Sequence, residues 1–207
     1  MGEHGFAVDS APGLITFPGI TTSEFTTMRK ALSALALFLA APLTHAADVA
    51  LGLSNKTVAA DFTSQPIGQG LHLTLGGLHH SDNGNLATVG LQVSQQVNAG
   101  LDVSLGGKLL FVQTDIRNAS ALALGGQVDM ALPGLSQVHL GLHGWYAPGV
   151  TSFNDTNHVY DLGVSAAYRV LSNAEAFASY RRVRIDYERE GGQTIQSGLL
   201  FGMNLFF

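Results

Sequence analysis

Over most of the chain, apolar and polar residues trade places at every second position. The final segment shows this best: Ile195, Leu199, Phe201, Met203, Leu205 and Phe207 hold alternate positions, with Thr194, Gln196, Gly198, Gly202 and Asn204 between them. Successive side chains of a strand point to opposite faces, so the segment predicts a strand with one greasy face and one polar or small face. The same alternation recurs upstream in Leu71, Leu73, Leu75 against His72, Thr74, Gly76, and in Val89, Leu91, Val93 against Thr88, Gly90, Gln92. It continues in Leu101, Val103, Leu105, Leu109 and Phe111 against Asp102, Ser104, Gly106 and Lys108. Further rows carry Leu122, Leu124, Val128, Met130, then Val138, Leu140, Leu142, Tyr146, then Tyr160, Leu162, Val164, Ala166, Tyr168.

Strands apolar on one face and polar on the other, repeated at regular spacing, are the pattern of an outer-membrane barrel, with lipid outside and a polar interior. The expected fold is all-β, a transmembrane antiparallel up-and-down β-barrel of about 8 to 10 strands whose C-terminal strand ends in Phe207. The ambiguity lies at Val49 to Phe62, where two short apolar rows flank Asn55-Lys56. Read as a hairpin they give about ten strands; read as a terminal flap they leave about eight. Connections alternate in length as two rims require. Short ones fall at Gln65-Pro66, Asn98-Ala99, Leu132-Pro133-Gly134 and Ser172-Asn173, and longer ones at Ser81 to Asn85, Thr114 to Ser120, Ala147 to Asn157 and Glu188 to Gln193. Short turns face the periplasm and long loops the outside. An end on an aromatic residue, after apolar residues at alternate positions, resembles the C-terminal signal read by the barrel assembly machinery.

The early part of the chain departs from this pattern. Arg29 and Lys30 follow Met28, then comes an apolar run from Ala31 to Ala41, then Pro42 and the small-residue pair Thr44 and Ala46. That order is a secretory signal peptide over 28–46, with cleavage after Ala46 and a barrel over 47–207. Residues 1–27 have no sustained period and are read as outside the fold, as a start of translation at Met28 would explain. No other apolar run is long enough for a membrane helix. The 207 residues include 25 glycines and no cysteine, with hydrophobic content 46% and charged content 12%. Absence of cysteine removes disulfides, thiolate metal sites and cysteine nucleophiles together. A formal net charge of -5 gives no sign of a nucleic-acid partner.

Gly77-Leu78-His79-His80, Gly125-Gly126, Trp145-Tyr146-Ala147-Pro148, and Leu171-Ser172-Asn173-Ala174 running to Tyr180-Arg181-Arg182-Val183-Arg184 together resemble the YfaZ family of outer-membrane proteins. The resemblance spans the barrel segment and implies a small barrel in the bacterial outer membrane, in contact with its lipid. It implies no activity that could be placed on particular residues.

Strict alternation sends Asp61, His72, Asp102, Lys108, Gln127, Asp129, His139, His143, Asp161, Arg169, Arg182, Arg184, Asp186 and Glu188 inward. It leaves Glu175 and Arg181 as the charges of the lipid face. An interior this narrow holds little beyond its own side chains, so the charges must pair. Asp161, Arg169, Arg182, Arg184, Asp186 and Glu188 form the expected charge cluster, with His72, Asp102, Lys108, Asp129, His139 and His143 as further polar residues. A two-residue turn at Ser172-Asn173 sets Asp161 opposite Arg184, Gly163 opposite Arg182 and Ser165 opposite Tyr180. A bulge at Arg181-Arg182 would turn both arginines inward instead. His139 and His143, on one face of a strand, stand about 13 Å apart and cannot share a metal. They read as hydrogen-bonding residues, and no cofactor or metal is implied. His79, His80, Ser81 and Asp82, with His158 on another strand, form the only group at the outer rim that suggests hydrolysis, and their spacing defines no triad. The expected role is therefore a non-enzymatic envelope barrel with a charge-filled interior. A small-solute channel and a lipid- or peptide-processing enzyme of the outer rim are the alternatives.

Overall fold

A computed structural model describes residues 48–114, 118–154, 156–187 and 191–207. The expected N-terminal extension, the signal peptide with its cleavage site, and Glu188 lie outside these residues. The strands are β1 (Asp48–Leu53), β2 (Thr57–Thr63), β3 (Leu71–His80), β4 (Gly84–Asn98), β5 (Leu101–Gln113), β6 (Asn118–Leu132), β7 (Leu135–Ala147), β8 (Ser152–Phe153), β9 (Thr156–Leu171), β10 (Ala174–Tyr187) and β11 (Gly191–Phe206). All neighbours are antiparallel, and β1 pairs with β11 through Leu51↔Met203, which closes the ring. Ten strands form the wall; the two-residue β8 only borders β6. β1 and β2 are members of the wall rather than a flap, because β2 also pairs with β3.

One rim carries three two-residue turns, the longer β2–β3 connection and both ends of the wall, Asp48 of β1 and Phe206 of β11. At Pro133-Gly134 the turn works because proline presets the first corner and Gly134 takes a φ of 81°, which a side chain would strain. Several expected connections differ in length: those over Thr114 to Ser120 and Glu188 to Gln193 shorten because β6 begins at Asn118 and β11 at Gly191. The one expected at Gln65-Pro66 spans Ser64 to Gly70, and the one expected over Ser81 to Asn85 shortens to Ser81–Asn83 because β4 already begins at Gly84. On the opposite rim β11 runs on beyond its last β1 partner, Phe201. It is tied there to the top of β2 and to the β3–β4 connection by Thr57 Oγ1 donating to Gln196 Oε1 (2.6 Å) and Asn83 Nδ2 donating to the Ile195 carbonyl (3.1 Å).

The register of β10 departs from the two-residue count within one step. Leu171 faces Ala174, but Arg169 faces Glu175, so Val170 is skipped and everything beyond moves by one. Asp161 consequently faces Val183 rather than Arg184, Gly163 faces Arg181 rather than Arg182, and Ser165 faces Ser179 rather than Tyr180. A one-residue shift exchanges the two faces of a strand. Glu175 and Arg181 therefore point inward, and Arg182, Arg184 and Asp186 outward, the reverse of the expectation from alternation. No bulge sits at Arg181-Arg182; further irregularities lie between Val183 and Arg184, where Ile195 of β11 is the extra residue, and between Asp186 and Tyr187, where Asn157 of β9 is skipped. Ile195, expected on the lipid row, is buried together with Gln196.

Elsewhere the rows hold. Val89, Leu91, Leu105, Leu109, Phe111, Leu124, Leu142, Leu162, Val164, Leu199 and Phe201 are exposed on the outer wall. The interior is divided in two along its axis. Toward the loop rim, Leu78, Leu86, Leu110, Val112, Ala121, Val159, Val183, Ile185 and Ile195 close on each other in one apolar cluster. Toward the turn rim, the inward positions are polar and surround a cavity of about 500 Å³.

Candidate functional site

Where the two halves of the lumen meet, Asp161 of β9 and Arg181 of β10 form a bidentate pair. Arg181 Nε donates to Asp161 Oδ1 at 2.9 Å and Nη2 to Oδ2 at 2.7 Å. Asp161 is 1% exposed and Arg181 8%. The planar guanidinium fork matches a carboxylate, so both heavily desolvated groups keep strong charge-assisted bonds. Asp61 Oδ2 lies 3.7 Å from Arg181 Nη1, and His143 Nε2 lies 3.3 Å from Asp161 Oδ1. The group thus joins β2, β7, β9 and β10 through side chains alone. Room for it comes from Gly163, directly opposite Arg181, where a Cβ would stand 2.7 Å from His143 Nε2.

Above this pair, Lys108 Nζ sits 4.2 Å from the centre of the Trp145 ring, a cation–π contact at the floor of the apolar cluster. Below it, Arg169 donates to Glu175 Oε1 from Nε (3.0 Å) and Nη2 (2.7 Å). His139 Nδ1 lies 2.9 Å from Asp129 Oδ1, and its Nε2 stands 3.9 Å from Glu175, too far for a hydrogen bond. Asp102 faces Asp129 across the β5–β6 ladder at the cavity mouth. His72 Nδ1 lies 2.8 Å from the Ser64 carbonyl. The lining also includes the buried Gln92 and the indole of Trp145, whose Oε1 and Nε1 have no hydrogen-bond partner. Carboxylates, cations and amides line one polar chamber, an arrangement that can hold water or a small polar solute.

Of the expected charge cluster, Asp161 and Arg169 are inside and paired, with Arg181 and Glu175 as partners that alternation had assigned to lipid. Arg182, Arg184 and Asp186 lie on the outer wall. There Arg184 Nε and Nη2 donate to Asp186 at 3.1 and 2.9 Å, and Asp186 Oδ2 lies 2.9 Å from His158 Nε2. The signal for Arg181 is its own misfit, since an arginine on the lipid face is costly.

The outer-rim histidines do not converge. His79 Nδ1 contacts Asn85 Oδ1 (2.6 Å), His80 Nδ1 accepts from the Asp82 amide (3.2 Å), and His158 belongs to the Asp186 group. Ser81 Oγ donates to Asp82 Oδ1 (3.3 Å), and Asp82 is bound by Lys56 Nζ at 2.5 Å. That hydrogen bond from Lys56 holds the Asp82 carboxyl below the usual carboxylate range. Among the described residues no group of three or more His, Cys, Asp or Glu is placed to hold a metal ion.

The sequence profile of the YfaZ precursor family matches residues 27–207. A solved structure of the KdgM porin in complex with disordered oligogalacturonate is similar, at 12% identity, over 78% of this chain and 99% of that chain, with a TM-score of 0.42. No match was found among curated proteins.

Proposed function

The chain belongs to the YfaZ precursor family and is an outer-membrane β-barrel, and from that premise we propose that it is a non-conducting, non-enzymatic barrel of the cell envelope. The observation that carries this reading is the apolar cluster that crosses the lumen above the Asp161–Arg181 pair. Leu110 is 1% exposed and Ile185 0%, so both side chains are packed away from solvent. An ion entering that cluster would exchange its hydration for a mainly hydrocarbon lining. In this reading the polar chamber opens to the periplasm, since two-residue turns and the barrel's ends occupy that rim. Residues 28–46 act as the signal peptide that delivers the chain, and β11 is the strand engaged by the barrel assembly machinery.

The alternatives make different demands. A channel needs a polar path through both halves, and a rim enzyme needs a nucleophile hydrogen-bonded to a base; Ser81 donates to Asp82 rather than to a histidine. The test is conductance of the purified barrel in planar bilayers. Absence of unitary current steps at protein levels where a known porin gives many supports the reading; steady, reproducible steps overturn it.

A further inference from the structure

We propose that the outer wall between β6 and β10 carries a binding site for a phosphorylated lipid of the outer leaflet, with Arg182 as its anion anchor. A groove of about 410 Å³ runs along the wall there, lined by Leu124, Gly144, Tyr146, Tyr160, Leu162 and Arg182. Its floor is Gly144, where the lack of a side chain leaves a depression between the Leu124 and Leu162 rows; a Cβ there would already touch Leu162 Cδ2 at 3.3 Å. The lining is apolar except for its upper end, where two tyrosines and the arginine stand.

Height and charge decide what the groove fits. From Ala174 to Arg182 the tilted strand climbs about 20 Å, which brings the guanidinium near the upper edge of an apolar band about 25 Å tall. Tyr146 and Tyr160 at the same end fit the aromatic girdle of that boundary. Arg184 is neutralised by Asp186, whereas Arg182 has no ion-pair partner among the described residues. A cation without a counter-charge, facing lipid at the headgroup level, is complementary to a phosphate, and the groove below it to an acyl chain. Both requirements are met together by an amphiphile whose phosphate lies at the outer interface. A free phosphate would have no use for the groove, and a neutral lipid none for Arg182.

The experiment uses the folded full barrel in detergent micelles, with bisphosphorylated lipid A and its dephosphorylated form as probes and bound lipid counted by native mass spectrometry. The wild type is expected to retain the phosphorylated form preferentially, and Arg182→Gln to lower its retention about fivefold, the effect of one interfacial cation. The dephosphorylated form should be indifferent to that change. Arg182→Lys should keep most of the preference. Gly144→Leu, which fills the groove, should weaken both probes. Heat-modifiable gel mobility shows that each variant is folded before it is compared. Equal retention of the two probes by the wild type, or an unchanged preference in folded Arg182→Gln, overturns the proposal.

Discussion

The Asp161–Arg181 pair is held by two short bonds in a place from which water is nearly excluded, and this fixes how each partner behaves when the other is lost. Neutralising Asp161 leaves the guanidinium buried with only Asp61 near it, at 3.7 Å from Nη1. Breaking a buried pair from one side costs about 3 to 5 kcal/mol, whereas replacing both partners by well-packed apolar residues is close to neutral. Asp161→Asn is therefore expected to lower the stability of the liposome-embedded barrel by about 3 to 5 kcal/mol, and Asp161→Leu with Arg181→Met to recover most of that loss. Urea titration followed by the fluorescence of Trp145, the single tryptophan of the chain, measures both. A double variant no more stable than the single one counts against the pair as the dominant interaction. Gly163 depends on the same packing. Gly163→Val puts a branched side chain where the His143 ring lies and is expected to displace His143 from Asp161, visible as loss of the His143–Asp161 contact in the imidazole NMR signals.

At the scale of the strand, what decides a residue's environment is parity, and parity is inherited from the turn before it. The outer rows of β3 to β7 and of β9 are legible in the sequence because large aliphatic residues fall on one parity and small or polar ones on the other. β10 offers no such contrast: Ala176, Ala178 and Ser179 suit either face, and Arg181-Arg182 puts a cation on both. Its faces are fixed by the unpaired Val170 beside the turn, and nothing in the residues Val170 to Ala174 announces that skip. The apolar half of the lumen has a visible trace. Leu109-Leu110-Phe111-Val112 is apolar on both parities, as a strand buried on both faces is. Parity can be tested directly because the chain has no cysteine. A fluorophore attached through Tyr180→Cys is expected to be quenched by brominated lipid, and one attached through Ser179→Cys to be shielded from it. Quenching at Ser179→Cys with shielding at Tyr180→Cys means that the skip at Val170 is wrong.

For the molecule as a whole, the question is which layer closes the lumen, the ion-paired one or the apolar one above it. The ion-paired layer borders the polar chamber, and its groups bond across strands without filling the section; Gln92 and Trp145 still offer unpaired polar atoms to the chamber. The apolar layer is mainly hydrocarbon, and its members from β3, β4, β5, β6, β9, β10 and β11 pack in one cluster. Closure by packing predicts a clean separation of effects. Asp161→Leu with Arg181→Met removes the charges at the junction and is expected to leave the barrel non-conducting, because Leu110, Val183 and Ile185 remain in place above it. Leu110→Gly with Ile185→Gly leaves the ion pair untouched but removes the side chains of two members of the cluster, and should admit water and give measurable ion current in planar bilayers. Each truncation also costs about 2 to 5 kcal/mol of packing, so folding of the variant is checked by gel mobility before current is recorded. Current through the charge-deleted barrel, with none through the folded glycine variant, would place the barrier at the ion pair and not in the apolar layer.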